Sequence, residues 1–227
     1  MKLQVVVPYR DRPKQLRKFI PGLSEYLTSQ KIDFAITVVN QLGVGQMNRG
    51  KLKNIGFLET PEKGYTVFHD VDLFPIRRKD EPDHFGYHGM PNYMALDHAR
   101  SIAKPAQRCA GCIFAVGNPA FEKVNGFSNS YWGWGYEDMD LWYRLQHYKI
   151  QIDEQGKRVS KGYGKAAFTH LDKGTGWAVG HERNKAVLDA VLQNREKNYK
   201  SDGLNTCLYR VEKEHKLQGY TMIDVIV

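Results

Sequence analysis

One short stretch, Tyr131–Asp140, concentrates residue types that can do chemistry. It reads Tyr-Trp-Gly-Trp-Gly-Tyr-Glu-Asp-Met-Asp, and a segment with the apolar spacing of a helix follows it. Glycines between large aromatic residues allow positive φ and a close approach to a ligand, and carboxylates can accept a proton from a reacting hydroxyl. Acidic residues are also favoured in the first turn of any helix by the macrodipole. The stretch alone is therefore consistent with an active site or with a packed turn.

A second pair of carboxylates, Asp70 and Asp72, directly follows a predicted strand at Tyr65–His69. Two carboxylates spaced by one residue can bind a divalent metal ion that also binds a phosphate oxygen. They could equally end a strand in a turn, where Asp accepts local hydrogen bonds. Phosphatases of the haloacid-dehalogenase class carry the same Asp-x-Asp but want Thr or Val two residues after the second Asp. Here Leu73-Phe74-Pro75 follows, which argues against that class.

His170 and Asp172 lie two positions apart, so their side chains share a face if the segment is extended. With Asp72 they would form a nitrogen and oxygen ligand set suited to Mn²⁺; an exposed histidine at a capped strand end is the alternative. Arg10 and Arg12 would share a face in the same way. Two guanidinium groups are suited to a diphosphate, and a solvated loop is the alternative.

The chain has 227 residues and a formal net charge of +8 that is spread along the sequence. This charge favours anionic ligands such as nucleotide diphosphates or an acidic glycan, with a solvated basic surface as the alternative. The sequence has no basic stripe with interleaved aromatic residues, which is the pattern that would indicate binding to nucleic acid. The odd number of cysteines, three, argues against a disulfide framework. No apolar run approaches the roughly 20 residues that span a bilayer, so the simplest interpretation is a catalytic domain in the cytoplasm.

The elements that must position these residues alternate in type along the first seventy residues. Strands are predicted at Lys2–Val7, Asp33–Asn40 and Tyr65–His69, with helices after Asp11 and over Asn48–Leu58. This order predicts right-handed crossovers and a parallel sheet with helices on its faces. Ligands bind at the carboxyl ends of the strands in such sheets. Pro21 is expected to kink or divide the first helix.

The rest of the chain has a less regular pattern. Residues 73–108 are rich in Pro, Asp and His and are expected to hold little regular structure. After them the pattern predicts strands at Cys112–Val116, Lys149–Asp153, Ala166–His170, Leu204–Arg210 and Tyr220–Val227, and helices at Asn118–Val124, Asp138–Tyr148 and Glu182–Lys200. The whole chain is therefore of the α/β class.

Several segments stand together in the order and approximate spacing of one known family. They are Val6–Arg12, Asn48–Phe57, Phe68–Leu73, Asn125–Asn129, Trp132–Asp138, Phe168–Leu171 and Asp202–Thr206. Over nearly its whole length the chain resembles the β-1,4-galactosyltransferase family (glycosyltransferase family 7), and it looks most like the xylosylprotein galactosyltransferase branch. The resemblance implies a GT-A fold, with a Rossmann-like mixed sheet flanked by helices. It also implies an inverting, Mn²⁺-dependent transfer of a hexose from a UDP-sugar donor to a hydroxyl of a glycan acceptor, in β-1,4 linkage.

The resemblance assigns roles to individual residues. Asp138 would be the general base and Glu137 would position the acceptor, while Asp72, His170 and Asp172 would bind the metal ion. The donor would be bound by Pro8, Arg10, Arg12, Arg49, Asp70, Val71, Trp134 and Gly135, with Trp134 on a mobile loop that closes over it. The chain would be one catalytic domain, 1–227, in which residues 1–75 form the nucleotide-sugar half and residues 76–227 the acceptor-binding and catalytic half.

Some features depart from the family pattern. Met47 stands where the family has a uracil-stacking Phe, Met139 replaces a third acid, and Asp172 stands where the branch has a second His. The anchor and stem of the Golgi enzymes are missing, which would fit a soluble bacterial or viral member. Two other functions are consistent with parts of the sequence: a phosphohydrolase built on Asp70 and Asp72, and a non-catalytic glycan-binding module built on the Trp-Gly-Trp stretch.

Cys109 stands where galactose-specific members carry a Tyr that crowds C2 of the sugar, and a smaller residue leaves room for an N-acetyl group. We therefore expect UDP-GalNAc to be used at least as well as UDP-Gal. Turnover of the two donors, measured under identical conditions, tests this expectation. Strong rejection of UDP-GalNAc would contradict it.

Overall fold

The chain begins with three strands joined by two helices, in a computed structural model that describes residues 2–60, 64–73, 98–101, 110–153 and 179–227. The elements are β1 (Leu3–Tyr9), α1 (Pro13–Ser29), β2 (Phe34–Gln41), α2 (Arg49–Leu58) and β3 (Tyr65–His69). Both β2 and β3 pair with β1 in parallel, one on each side. The predicted parallel arrangement of the first seventy residues is confirmed.

The later elements extend this sheet at both edges. They are β4 (His98–Ser101), β5 (Ile113–Gly117), α3 (Asn118–Lys123), α4 (Glu137–His147), β6 (Gln151–Asp153), α5 (His181–Gln193), α6 (Arg195–Ser201), β7 (Arg210–Leu217) and β8 (Tyr220–Ile226). The eight-stranded sheet has the order β6-β4-β5-β3-β1-β2-β8-β7. Pairing is antiparallel between β3 and β5, β4 and β5, and β7 and β8, so the sheet is mixed. It joins strands from both halves of the chain.

Side chains alternate across β1 and so divide the core into two layers. Val5 and Val7 pack on the face covered by α1, whereas Val6 packs on the face covered by α2. The carboxyl ends of β1 and β3 lie at the same edge of the sheet because the two strands are parallel. The residues that follow these strands therefore meet at one place.

Several elements differ from the sequence prediction, and two of them are helices. Pro21 lies inside one helix, α1, and does not divide it; Pro21 and Arg17 are both exposed, so the Arg17 carbonyl that loses its partner can be solvated. The predicted helix Glu182–Lys200 is two helices, because Asn194 adopts a non-helical φ of −132° between them.

At the C-terminus, the predicted strand Leu204–Arg210 is wrong. Leu204–Thr206 is a short 3₁₀ helix, and the strand is β7, whose charged residues are exposed on both faces of a sheet edge. An edge strand with two solvated faces carries no apolar alternation. A short strand, β4, also lies in the stretch expected to hold little regular structure, whereas Ala166–His170 lies outside the described residues. Within the described ranges, no helix combines the length and apolar character needed to cross a bilayer.

Gly56 sets how closely α2 approaches the sheet. A Cβ atom at Gly56 would overlap Val6 and lie 2.9 Å from Cγ2 of Val39. We expect Gly56→Ala to lower the free energy of unfolding by about 1–3 kcal/mol through overpacking. Gly22→Ala is the matched control, because nothing lies within 4 Å of a Cβ there and Ala stabilises a helix by up to about 1 kcal/mol relative to Gly. Urea unfolding of both variants measures the two effects, and equal effects of the same sign would contradict the close packing of α2.

Candidate active site

Two adjoining clefts open at the carboxyl edge of β1 and β3. The first, of about 540 Å³, is here called the arginine cleft and is lined by Pro8, Arg10, Asp11, Arg12, Gly45, Met47, Arg49, Asp70, Val71 and Asp72. The second, of about 310 Å³, is called the carboxylate cleft and is lined by Arg49, Lys53, Asp70, Gly111, Cys112, Trp134, Gly135, Tyr136, Glu137, Asp138, Met139 and His181. Arg49 and Asp70 line both clefts and so form the boundary between them.

The arginine cleft brings Arg10 and Arg12 together, and the segment between them is not extended. Asp11 between them has a φ of +50°, which turns the chain. Arg10 donates from Nη1 to the carbonyl of Gly45 (2.9 Å) and from Nη2 to the carbonyl of Gly43 (2.7 Å). Arg10 therefore shapes the wall of the cleft by holding the 43–45 loop.

Asp70 and Asp72 follow β3 and face the same cleft. The backbone N–H of Asp70 donates to the carbonyl of Cys112 (2.9 Å), which fixes the turn against the start of β5. Burial, with further contributions from Asp72 and Glu137, raises the pKa of Asp70 to about 6, against the opposing effect of Lys53 and Arg49. Carboxylates crowded in this way favour a nearby cation.

The pair fits a hard divalent metal ion, since carboxylate oxygens are ligands that Mn²⁺ prefers. Within the described parts of the chain, no three His, Cys, Asp or Glu side chains are grouped closely enough to hold a metal ion. His170 and Asp172, which the resemblance assigns as further ligands, lie outside the described residues, as does Cys109. Of the residues that the resemblance assigns as metal ligands, the described part of the chain therefore includes Asp72, with Asp70 two positions before it.

Glu137, Asp138 and Asp140 lie in the first turn of α4, as the sequence predicted. Glu137 is 7% exposed, and its Oε1 accepts from Nε of Arg49 at 3.2 Å. Burial disfavours the charged form of Glu137, but Arg49 and then Lys53 outweigh it, so that the pKa of Glu137 is lowered. The ion pair connects the start of α2 with the start of α4.

Asp138 faces the carboxylate cleft beside Gly111. Any Cβ at Gly111 would overlap Oδ2 of Asp138, so glycine permits this approach. The Asp138 carbonyl accepts from the N–H of Ala110 at 2.9 Å, and its Oδ1 accepts from the N–H of Met139 at 2.8 Å. Burial, and then Glu137, raise the pKa of Asp138, while Lys53, the Met139 N–H and Arg49 oppose the rise. A carboxylate with these properties is chemically suited to accept a proton from a hydroxyl.

Aromatic rings form the outer wall of the carboxylate cleft. Trp134 is 37% exposed and stacks on His181, with ring centroids 5.4 Å apart and an interplanar angle of 18°. The ring centroid of Tyr136 lies 4.9 Å from that of the same imidazole. The backbone of Tyr136 has a φ of +74°, which is uncommon for residues other than glycine. Sequence reasoning missed Tyr136 and His181, because nothing near Glu182 predicted that the start of a helix would face Trp134.

A buried asparagine, Asn184, holds the Trp-Gly-Trp-Gly loop from behind. Its Nδ2 lies 3.1 Å from the carbonyl of Trp132, 3.2 Å from that of Trp134 and 3.1 Å from that of Gly135, and the residue is fully buried. Gly133, with a φ of +81°, donates to the carbonyl of Met47 at 2.8 Å. The loop is therefore fastened both to α5 and to the segment before α2.

A second buried pair supports α4 beneath the site. Asp140 and Arg144 are fully buried, with Nε of Arg144 3.2 Å from Oδ2 of Asp140. Arg144 also donates from Nη1 to the carbonyl of Asp202 at 2.7 Å. Asp140 thus belongs to the scaffold and does not line either cleft.

Replacing Asn184 by Asp would turn a donor to three carbonyls into an acceptor that faces them. We expect Asn184→Asp to lower the free energy of unfolding by about 1–3 kcal/mol and to speed amide hydrogen exchange at 132–136. Hydrogen exchange read by mass spectrometry measures the local effect. Asn194→Asp, the same change at an exposed position after α5, should leave exchange at 132–136 as in the wild type. Unchanged exchange in both variants would show that Asn184 does not hold the loop.

Models of two protein-family regions match consecutive parts of the sequence. Residues 1–82 match the N-terminal region of glycosyl transferase group 7, and residues 93–170 match a region described as the N-terminal domain of galactosyltransferase. Among curated relatives, β-1,4-galactosyltransferase 4 of Cricetulus griseus is 32% identical over 99% of this chain and 63% of the relative. β-1,4-Galactosyltransferase 7 of Mus musculus is 30% identical over 95% of this chain and 63% of the relative. The chain thus spans less than two thirds of the length of these animal relatives.

Among solved structures, the fold is similar to that of a mutant Drosophila β-1,4-galactosyltransferase 7 in complex with manganese, UDP-Gal and xylobiose. The TM-score is 0.75 at 27% identity, over 100% of this chain and 94% of that one. The eight-stranded mixed sheet with helices on both faces agrees with the GT-A architecture of that protein. By these matches, the chain belongs to the β-1,4-galactosyltransferase family, glycosyltransferase family 7, and has its GT-A fold.

Proposed function

We propose that the protein is an inverting, metal-dependent glycosyltransferase that moves Gal or GalNAc from a UDP-sugar to a hydroxyl of a glycan acceptor, forming a β-1,4 linkage. The observation that carries this proposal is the adjoining pair of clefts. One is lined by arginines and by Asp70 and Asp72, and the other by Glu137 and Asp138. Sugar transfer requires that the charge of a diphosphate leaving group is stabilised and that a group accepts the proton of the acceptor hydroxyl. The arginine cleft has residues suited to the first requirement and the adjoining carboxylate cleft has residues suited to the second.

The arginine cleft is the proposed donor site. Pro8 and Val71 would line it, Arg10, Arg12 and Arg49 would face the nucleotide diphosphate, and Asp70 would face the sugar. The fold and family support this assignment, because the Drosophila relative was solved with UDP-Gal and manganese. Asp72, with His170 and Asp172, would hold Mn²⁺, which when bound supplies positive charge to stabilise the leaving diphosphate.

The carboxylate cleft is the proposed site of acceptor activation. Asp138 would take the proton of the acceptor hydroxyl as its oxygen forms a bond to C1 of the sugar. The bond from C1 to the phosphate oxygen breaks at the same time, and UDP leaves with the electron pair. One base is sufficient for this single displacement, which inverts the anomeric centre. Glu137, fixed by Arg49 at 3.2 Å, would position the acceptor.

The aromatic wall is the proposed lid. Trp134 and Gly135 belong to the Trp-Gly-Trp-Gly loop, and closure of this loop over the donor would exclude water and limit hydrolysis. The complex of the Drosophila enzyme with xylobiose supports a xyloside as the first acceptor to test, in agreement with the sequence resemblance to the xylosylprotein branch.

Asp138→Asn keeps the shape of the side chain but removes its basicity. We expect UDP release with Mn²⁺, UDP-Gal and xylobiose to fall by about 10²–10⁴-fold, while UDP binding measured by calorimetry stays close to that of the wild type. Asp189→Asn, the same change at an exposed position of α5, is the control and should leave both unchanged.

Three outcomes would contradict the proposed function. UDP release that is equally fast without any acceptor would argue against a transferase. Full activity of Asp138→Asn on a phosphate ester would favour a phosphohydrolase built on Asp70 and Asp72, and sugar binding that survives removal of metal without any turnover would favour a glycan-binding module.

A further inference from the structure

A buried lysine, Lys53, lines the carboxylate cleft and has no role in the proposed function described so far. It lies one helical turn after Arg49 on α2, so the two cations share a face of that helix. Lys53 is 3% exposed, and its Nζ lies 4.9 Å from the ring centroid of Phe127. Lysine is almost never buried to this extent unless its charge is compensated.

The compensation for Lys53 comes from three carboxylates on two elements. Its charge favours the ionised forms of Asp70, which follows β3, and of Glu137 and Asp138, which begin α4. Arg49 is the other cation at this place, but its Nε donates to Glu137. Three carboxylates, Asp70, Glu137 and Asp138, therefore share the cleft with two cations, Arg49 and Lys53. Arg49 is already paired with Glu137.

The charged and titratable groups around Asp138 belong to every element that lines the cleft. They are Glu137 on its own helix, Arg49 and Lys53 on α2, Asp70 after β3, Cys112 before β5, Tyr136 in the aromatic wall and His181 on α5. Burial and Glu137 both disfavour the ionised form of Asp138. Among the groups that oppose them, Lys53 has the largest effect, ahead of the Met139 N–H and of Arg49.

We propose that Lys53 is a positioning residue for the general base: its buried ammonium group keeps the Asp138 carboxylate ionised and therefore able to accept a proton from the acceptor. This inference rests on the proposed function, because it assigns Lys53 a role through Asp138. The location of Lys53 is consistent with it, since an apolar residue would fill the same space beside Phe127 without the cost of burying a charge.

The test is the pH dependence of kcat/KM for the acceptor, with Mn²⁺ and UDP-Gal saturating. Under these conditions the profile reports ionisations in the enzyme–donor complex. Activity is lost on the acidic side as the base becomes protonated. Without Lys53 the base protonates at higher pH, so the acidic limb of Lys53→Met should move to higher pH. We expect the loss relative to wild type to be about tenfold larger at pH 5.5 than at pH 8.

Two further variants separate charge from shape. Lys53→Arg keeps the positive charge and should restore the acidic limb to near its wild-type position. Lys51→Met removes a lysine from the same helix at a position outside both clefts and should leave the profile unchanged. Thermal unfolding of each variant identifies any that fails to fold, and the comparison of Lys53→Arg with Lys53→Met then decides.

Each outcome either supports or overturns the inference. A loss in Lys53→Met by the same factor at every pH would overturn it, because a structural role or a substrate contact does not move the acidic limb. An equally displaced limb in Lys53→Arg would also overturn it, since the charge would then not be the property that matters. Wild-type protein without transferase activity would instead remove the proposed function, and the two failures are distinguishable.

Discussion

The site depends on how this fold compensates carboxylates that it gathers in one place. Asp70 arrives from the end of β3, and Glu137 and Asp138 arrive from the start of α4. Burial makes their charged forms unfavourable, and α2 supplies the two cations that oppose this effect. The Arg49–Glu137 ion pair joins α2 to α4. The position of α2 against the sheet, set by Gly56, therefore also sets the electrostatics of the site.

The supporting structure around the clefts holds Asp138 and the aromatic loop by different kinds of contact. Asp138 is fixed by close approach to Gly111 and by the hydrogen bond from Ala110 to its carbonyl. The Trp-Gly-Trp-Gly loop is instead held by side-chain and loop contacts, chiefly from Asn184. The closure proposed for this loop would exchange these contacts, whereas the contacts of Asp138 lie outside the loop.

Agreement between sequence and structure is best where the chemical pattern is local. The first three strands, the start of α2 at Asn48 and the acidic first turn of α4 all follow from apolar periodicity and capping preferences. Prediction was wrong in the C-terminal part of the chain. Asn194 interrupts a helix whose apolar spacing continues, and β7 is an exposed edge strand whose charged residues give no strand signal.

The sequence by itself determined the α/β order, the Asp-x-Asp after an apolar strand and the carboxylates after the glycine-rich turn, because these are short-range patterns of residue type. It also carried the family resemblance that the comparisons support.

Only the tertiary structure decided which charges meet. Lys53 is an ordinary helix residue in the sequence, and Arg10 and Arg12 would share a face only if their segment were extended. The fold buries Lys53 against carboxylates that come from elements 17 to 85 residues away in the chain, and it turns Arg10 toward the 43–45 loop. Burial and long-range electrostatics act through space, so the charges of the opening aromatic and acidic stretch depend on α2 as well as on its own neighbours.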